Sequence, residues 1–195
     1  MQLSPEIYHK LIRPKWFVKN YLENTINNYF DFNDKIVIDF GCGVGSLTPL
    51  FKSKHYIGLD CDAKRVSYAR HLNPNHSFYT IKDNRIPLKN NSVDYVLFIS
   101  VLHHIPSRTI EEYTSELQRI LKPEGSIVAM EPCIIPEKTV NNFFMRTFDK
   151  GKYIRTSNEY LDIFKKRHFN TNILNQFNQL FFYNKILFSA KVSLK

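Results

Sequence analysis

Val37-Ile38-Asp39-Phe40-Gly41-Cys42-Gly43-Val44-Gly45 is the stretch on which the fold of this chain turns. A short β-branched run from Lys35 to Phe40 that stops at a glycine cluster predicts a buried strand ending where the backbone must turn or approach a ligand closely. A helix over 46–52 and a second strand over 55–60 are expected next, which makes a βαβ unit. The alternation continues with a helix over 63–72, a strand over 77–81 and a strong apolar strand over 93–99. A helix over 108–121 is stopped by Lys122-Pro123-Glu124-Gly125, and 126–130 is the next strand. After Pro132 the pattern loosens as far as Gly151; a helix over 157–167 and a hairpin over 171–177 and 180–192 close the chain. Upstream, residues 5–30 read as amphipathic helix with a break at Pro14. Strands alternating with helices imply a parallel sheet covered on both faces.

The glycine cluster also bears on a ligand. Asp60 stands at the end of the second strand, 21 residues after Asp39, where a carboxylate can accept the hydroxyl hydrogens of a ribose. A dinucleotide fingerprint has the spacing G-x-G-x-x-G, whereas Gly41, Gly43 and Gly45 bring the third glycine one residue early. Asp39, two positions before the first glycine, suits a cationic amino acid tail better than a pyrophosphate. S-adenosylmethionine (SAM) has such a tail beside its sulfonium.

Three further segments take the reading beyond the loop. Ile86-Pro87-Leu88-Lys89-Asn90-Asn91-Ser92-Val93-Asp94 leads into the strand over 93–99, Val101-Leu102-His103-His104-Ile105 follows it, and Leu117 to Gly125 precedes the next strand. In this order they resemble the class I SAM-dependent methyltransferases, particularly the broad group that acts on small molecules; the resemblance runs from about Ile36 to Cys133, roughly half the chain. It implies a doubly wound, Rossmann-like α/β sheet of seven strands with the last antiparallel, built as one domain over 1–195. It further implies that Gly41, Cys42 and Gly43 lie against the methionine part of SAM with Asp39 near its amino group, that Asp60 holds the ribose, and that Cys61 flanks the adenine. Ser100 and Val101 would present backbone atoms to the methionine moiety. The acidic residue that meets the adenine amine in the family corresponds to Lys82 here, with Asp83 one place further on. The helices of 1–30 and the segment 133–156 are the expected substrate cover.

Composition narrows the partners. With 43% hydrophobic and 23% charged residues the chain is an ordinary globular one. Its N-terminus interrupts apolar residues with Glu6, Lys10, Arg13 and Lys15, unlike a signal peptide, and no apolar stretch is long enough to span a bilayer; a cytoplasmic location is the expectation. Three cysteines, Cys42, Cys61 and Cys133, with no CxxC pair argue against a disulfide framework and a metal site. The formal charge of +9 is concentrated in residues 137–195, where 11 Lys and Arg face 4 Asp and Glu. That surplus is either a solvated surface or an attraction for an anionic substrate.

For the chemistry, a base is expected among His103, His104 and Glu131, just past the fourth and fifth strands. The alternatives are that the histidines cap the next helix or pack, and that Glu131 is a structural acceptor. Cys42 and Cys61 read as small fillers rather than nucleophiles. Phe143, Phe144, Phe148 and Tyr153 read as core residues first and as a substrate clamp second. SAM is the expected cofactor and a small, possibly anionic molecule the expected substrate, with nucleic acid disfavoured. A nucleic-acid methyltransferase and a non-catalytic SAM-binding protein are the rival readings; the chain lacks the Asn/Asp-Pro-Pro-Tyr/Phe signature of many amino-directed enzymes.

Overall fold

The computed structural model describes residues 24–179 and 182–193, which fall into two compact units divided between Asp83 and Asn84. The expected helical pattern over 5–30 lies outside the described residues except for its end, where Asn24–Asn27 forms one helical turn.

In the first unit, β1 (Val37–Phe40), β2 (Tyr56–Asp60) and β3 (Ser77–Thr80) are parallel neighbours, with Val37 opposite Tyr56 and Ile57 opposite Ser77. All four residues of β1 are buried, the charged Asp39 among its apolar neighbours. Helix α1 (Ala63–Leu72) starts at Asp62, whose carboxylate accepts from the Lys64 and Arg65 amides at 2.9 and 3.2 Å. It buries Val66 and Ala69. The helix expected over 46–52 is a single 3₁₀ turn, Thr48–Leu50. Pro49 has no N–H to carry a helical ladder, and Gly45 enters the segment at φ +77°, outside helical geometry. Gly45 is also sterically required: a Cβ there would lie 2.8 Å from the Phe78 ring.

The second unit comprises β4 (Val93–Ile99), α2 (Ser107–Ile120), β5 (Leu121–Ile134), α3 (Thr139–Phe148), β6 (Arg155–Thr156), α4 (Ser157–Lys165), β7 (Phe169–Gln179) and β8 (Tyr183–Val192). β4 and β5 are parallel; β8 runs antiparallel to both β5 and β7, so the last strand is antiparallel as expected. The two-residue β6 joins the end of β5 and has no periodic signal that sequence reasoning would find. The stop at Lys122-Pro123-Glu124-Gly125 ends the helix and then bulges from the strand: β4 advances from Val93 to Tyr95 while its partner advances from Leu121 to Ser126. Gly125 leaves no room for a side chain, since a Cβ would meet the carbonyls of Lys122 and Val93 at 3.0 Å. The stretch that reads as loose after Pro132 contains α3, an amphipathic helix that buries only Met145. α4 begins with a capping box between Thr156 and Glu159 and buries Tyr160, Leu161, Ile163 and Phe164. Tyr160 and Phe164 pack on Phe188 of β8.

Candidate active site

The strand ends supply the functional side chains in both units. In the first, Gly41 (φ +76°) and Gly43 (φ +56°) turn the chain out of β1 in a conformation that side chains disfavour. The Gly43 amide donates to Asp60 Oδ2 at 2.8 Å and the Asp62 amide to Asp60 Oδ1 at 2.8 Å. Asp60 is buried at 7% exposure, and each oxygen keeps a lone pair beyond these bonds. Asp39, on the end of β1, is buried and accepts from the Tyr56 hydroxyl at 2.7 Å. Tyr56 lies diagonally across from Asp39, whose direct partner is Gly58. Cys42 is buried, and burial first, then the charges of Asp39 and Asp60, push its thiol well above the ordinary range. Cys61 is exposed; partial burial and the Asp60 charge raise it too. Burial thus disfavours the thiolate of both; Cys42 is packed as a filler would be, whereas Cys61 stands at the surface. Asp83 lies on an exposed bend, three residues past β3.

In the second unit, β4 delivers the chain to Ser100, which takes a left-handed φ of +56° and donates its amide to the Met130 carbonyl at 2.8 Å. Lys185 of β8, itself buried, donates to the Ser100 hydroxyl at 2.7 Å. Leu102–His104 then form a 3₁₀ turn. Glu131, wholly buried on β5, is the hub of this segment. Its Oε1 accepts from the amides of Val101 and Leu102 at 2.8 and 2.9 Å. Its Oε2 faces the His103 amide at 3.4 Å and His103 Nδ1 at 2.7 Å. Burial raises the Glu131 carboxyl, but the bonds from His103 and the two amides outweigh it and hold the group below its ordinary value.

His103 is buried between two carboxylates, with Nε2 3.5 Å from Asp149 Oδ1. His104 is exposed, its ring 4.0 Å from that of His103. The structure thus brings His103 and Glu131 into one bonded cluster and leaves His104 as the solvent-facing imidazole of the pair. Phe143, Phe144, Phe148 and Tyr153 are not core: they are 72, 37, 67 and 39% exposed. The one face of α3 that is buried carries Met145, so the remaining aromatics stand outward. Phe144 instead meets Phe148 and Phe182 at ring distances of 4.7 and 5.7 Å.

Asp149, Arg155, Lys185 and Arg119 take part without any sequence signal singling them out as site residues. Arg119 lies in one motif and grips another: its guanidinium donates to the carbonyls of Leu88 and Ile86 at 2.7 and 2.9 Å. It thereby ties the segment at 86–94 to that at 117–125. Among the described residues no group of three His, Cys, Asp or Glu is placed to hold a metal ion, and no helix is long and apolar enough to cross a membrane.

The doubly wound α/β architecture is that of the class I methyltransferases. A SAM-dependent methyltransferase from Archaeoglobus fulgidus superposes with a TM-score of 0.73 at 15% identity, covering 97% of this chain and 100% of that one. Magnesium protoporphyrin IX methyltransferase from Synechocystis, solved with bound S-adenosylhomocysteine (SAH), gives 0.64 at 20% identity over 91% of this chain and 83% of its own. Residues 38–129, just under half of the chain, match a family described as a methyltransferase domain. Among curated relatives, a tRNA (carboxymethyluridine(34)-5-O)-methyltransferase of Saccharomyces cerevisiae is 32% identical over 73 residues, 37% of this chain and 26% of that protein. The chain spans between 17% and 62% of the length of the curated relatives it resembles.

SAM is the cofactor of this family, and the strand ends fit it. A Cβ built on Gly43 meets nothing within 4 Å, so the glycine has open space beside it. The Asp60 carboxylate, oriented by two amides, retains acceptor capacity for a ribose diol.

Proposed function

We propose that this protein is a cytoplasmic methyltransferase that moves the SAM methyl group to an O, N or C atom of a small, polar or anionic molecule. The observation that carries the reading is the Gly43–Asp60 arrangement: a buried carboxylate fixed by two backbone amides beside a glycine with open space before it. One catalytic domain over 1–195 is the unit proposed, with 1–30 and 133–156 as its cover. The assignments of Asp39, Gly41, Cys42, Cys61, Asp83, Ser100 and Val101 to the cofactor belong to the same proposal.

When bound, SAM supplies an electrophilic methyl on a sulfonium, so the protein's share of the chemistry is alignment and, for an alcohol or a protonated amine, removal of a proton. The exposed imidazole of His104 is the proposed base of the histidine pair. His103 and Glu131 act behind it: with both ring nitrogens of His103 facing carboxylates, and four donors on Glu131, these groups hold the segment rather than meet an acceptor. The surplus of basic residues in 137–195 supports an anionic substrate. The yeast relative is a tRNA methyltransferase, and that observation keeps an RNA substrate as the second reading.

Calorimetric titration with SAM, SAH and NAD tests the cofactor. Binding of the first two and not the third is expected, and Asp60→Ala should weaken SAH by roughly 10- to 100-fold, the loss of about 1.5–3 kcal/mol in hydrogen bonds to a charged group. An unchanged affinity in Asp60→Ala refutes the ribose assignment. RNA binding that falls steeply as salt rises, measured on filters at two salt concentrations, would favour the second reading.

A further inference from the structure

The backbone from Val101 to Ile105 belongs to no strand, and although the His104 and Ile105 amides donate within the turn, to Val101 O and Leu102 O, its other polar groups find their partners elsewhere. Two opposite charges meet it from opposite sides. Glu131 takes the amides of Val101, Leu102 and His103, as described above. Arg155, buried at 7% exposure on β6, takes the carbonyls: Nη1 donates to Leu102 O at 2.9 Å and Nη2 to Ile105 O at 2.8 Å. Its remaining donors are also placed. Nη1 reaches Tyr153 O at 3.0 Å, and Nε and Nη2 reach the Ser107 hydroxyl at 3.2 and 3.0 Å, at the first residue of α2. The guanidinium lies 5.6 Å from the ring centres of both Tyr153 and Tyr160.

The same stretch is fastened to the segment that follows α3. The Tyr153 amide donates to His103 O at 2.9 Å, and Asp149 faces His103 Nε2. Gly151 lies so close to the His103 imidazole that a Cβ would collide with it.

We infer that Arg155 is a positioning residue for methyl transfer: with Glu131 it forms a two-sided clamp that fixes Val101–Ser107 and so sets where His104 stands. The inference rests on the methyltransferase reading for its functional meaning, while the clamp itself is a property of the fold. The planar guanidinium is essential, because a single ammonium cannot reach Leu102 O, Ile105 O and Ser107 Oγ together. Arg155→Lys therefore keeps the charge and loses the clamp.

The test compares wild type, Arg155→Lys and Arg155→Met by NMR amide hydrogen exchange, His104 ring signals and calorimetric SAH titration. In both variants exchange at Val101, Leu102 and His103 should accelerate by about tenfold or more while Val96–Ile99 of β4 stay protected, a local opening rather than a global one. The His104 ring resonances should broaden or split, and SAH affinity should stay within about threefold of wild type. Restoration of wild-type exchange and ring signals by Arg155→Lys would overturn the inference, because charge alone would then suffice. Equal acceleration throughout β4 and β5 would overturn it too, since Arg155 would be a general stabiliser. If wild type itself binds no SAM or SAH, the methyltransferase reading fails, and the exchange data still decide whether the clamp exists.

Discussion

Glu131→Gln removes the negative charge from a wholly buried side chain on which four donors converge, while nearly preserving its shape. In wild type, four N–H groups converge on its two oxygens, three from successive backbone amides and one from His103 Nδ1 at 2.7 Å. A glutamine has one acceptor oxygen, which can keep the amides of Val101 and Leu102. Its amide group then points donors at the His103 amide and ring, where acceptors are needed. Two buried donors lose their partner and the site loses its charge. Removing one member of a buried charged cluster costs about 3–5 kcal/mol. At roughly 2–4 °C per kcal/mol for a chain of this size, the melting temperature should fall by about 6–20 °C. Urea unfolding followed by circular dichroism, with calorimetry for the melting temperature, measures both. The difference should also depend on pH. The folded carboxyl sits below its ordinary value of 4.5, because the His103 and amide bonds outweigh the effect of burial. Its contribution is thus complete above pH 4.5 and is lost as pH falls through the folded value. Glutamine has nothing to titrate, so the gap between the two proteins should narrow only below pH 4.5. A loss below about 1 kcal/mol at pH 7, the scale of one ordinary hydrogen bond, would refute the account of Glu131 as a hub.

Gly151→Ala should cost about 1–3 kcal/mol in urea unfolding, because its Cβ collides with the His103 ring and forces repacking; the same change paired with His103→Ala should cost less than the sum of the two. The Glu116 carboxyl, held down to about 2 chiefly by its hydrogen bond to Arg119 and helped by the Ile86 amide, gives a second pH-dependent difference. Its stabilisation is present above pH 4.5 and fades between 4.5 and about 2, so Glu116→Gln should be less stable than wild type at neutral pH and converge with it in that acid window when both are melted across the range.

The elements most readable from sequence are those whose own residues carry the periodic or capping signal. The helix over 63–72 and the strand over 93–99 were expected at the bounds observed; in the structure Asp62 caps the one, and the apolar run Tyr95–Ile99 makes most of the other. The reading fails where one local signal is overridden by another: residues 46–52 have helix-like composition, but Pro49 and the left-handed Gly45 reduce the helix to a turn. It fails again where an element faces water on most of its circumference. The aromatics of α3 look like core because burial is the usual fate of phenylalanine, but Phe143 and Phe148 are mostly exposed. The candidate site divides in the same way. Glycines and a strand-end aspartate announce the cradle because each answers a local backbone demand, namely Gly41 and Gly43 at positive φ and Asp60 at the end of β2. Glu131, His103 and Asp149 are spread over 46 residues of sequence, and Arg155 grips carbonyls about 50 positions away. No spacing rule ties such residues together. What unites them is a requirement that appears only after folding: a buried non-ladder segment needs donors for its carbonyls and acceptors for its amides, and charged side chains from later elements meet it. A neutral loop in place of Val101–Ser107 would leave that Glu and that Arg buried without their partners, so loop, carboxylate and guanidinium constrain one another as a unit.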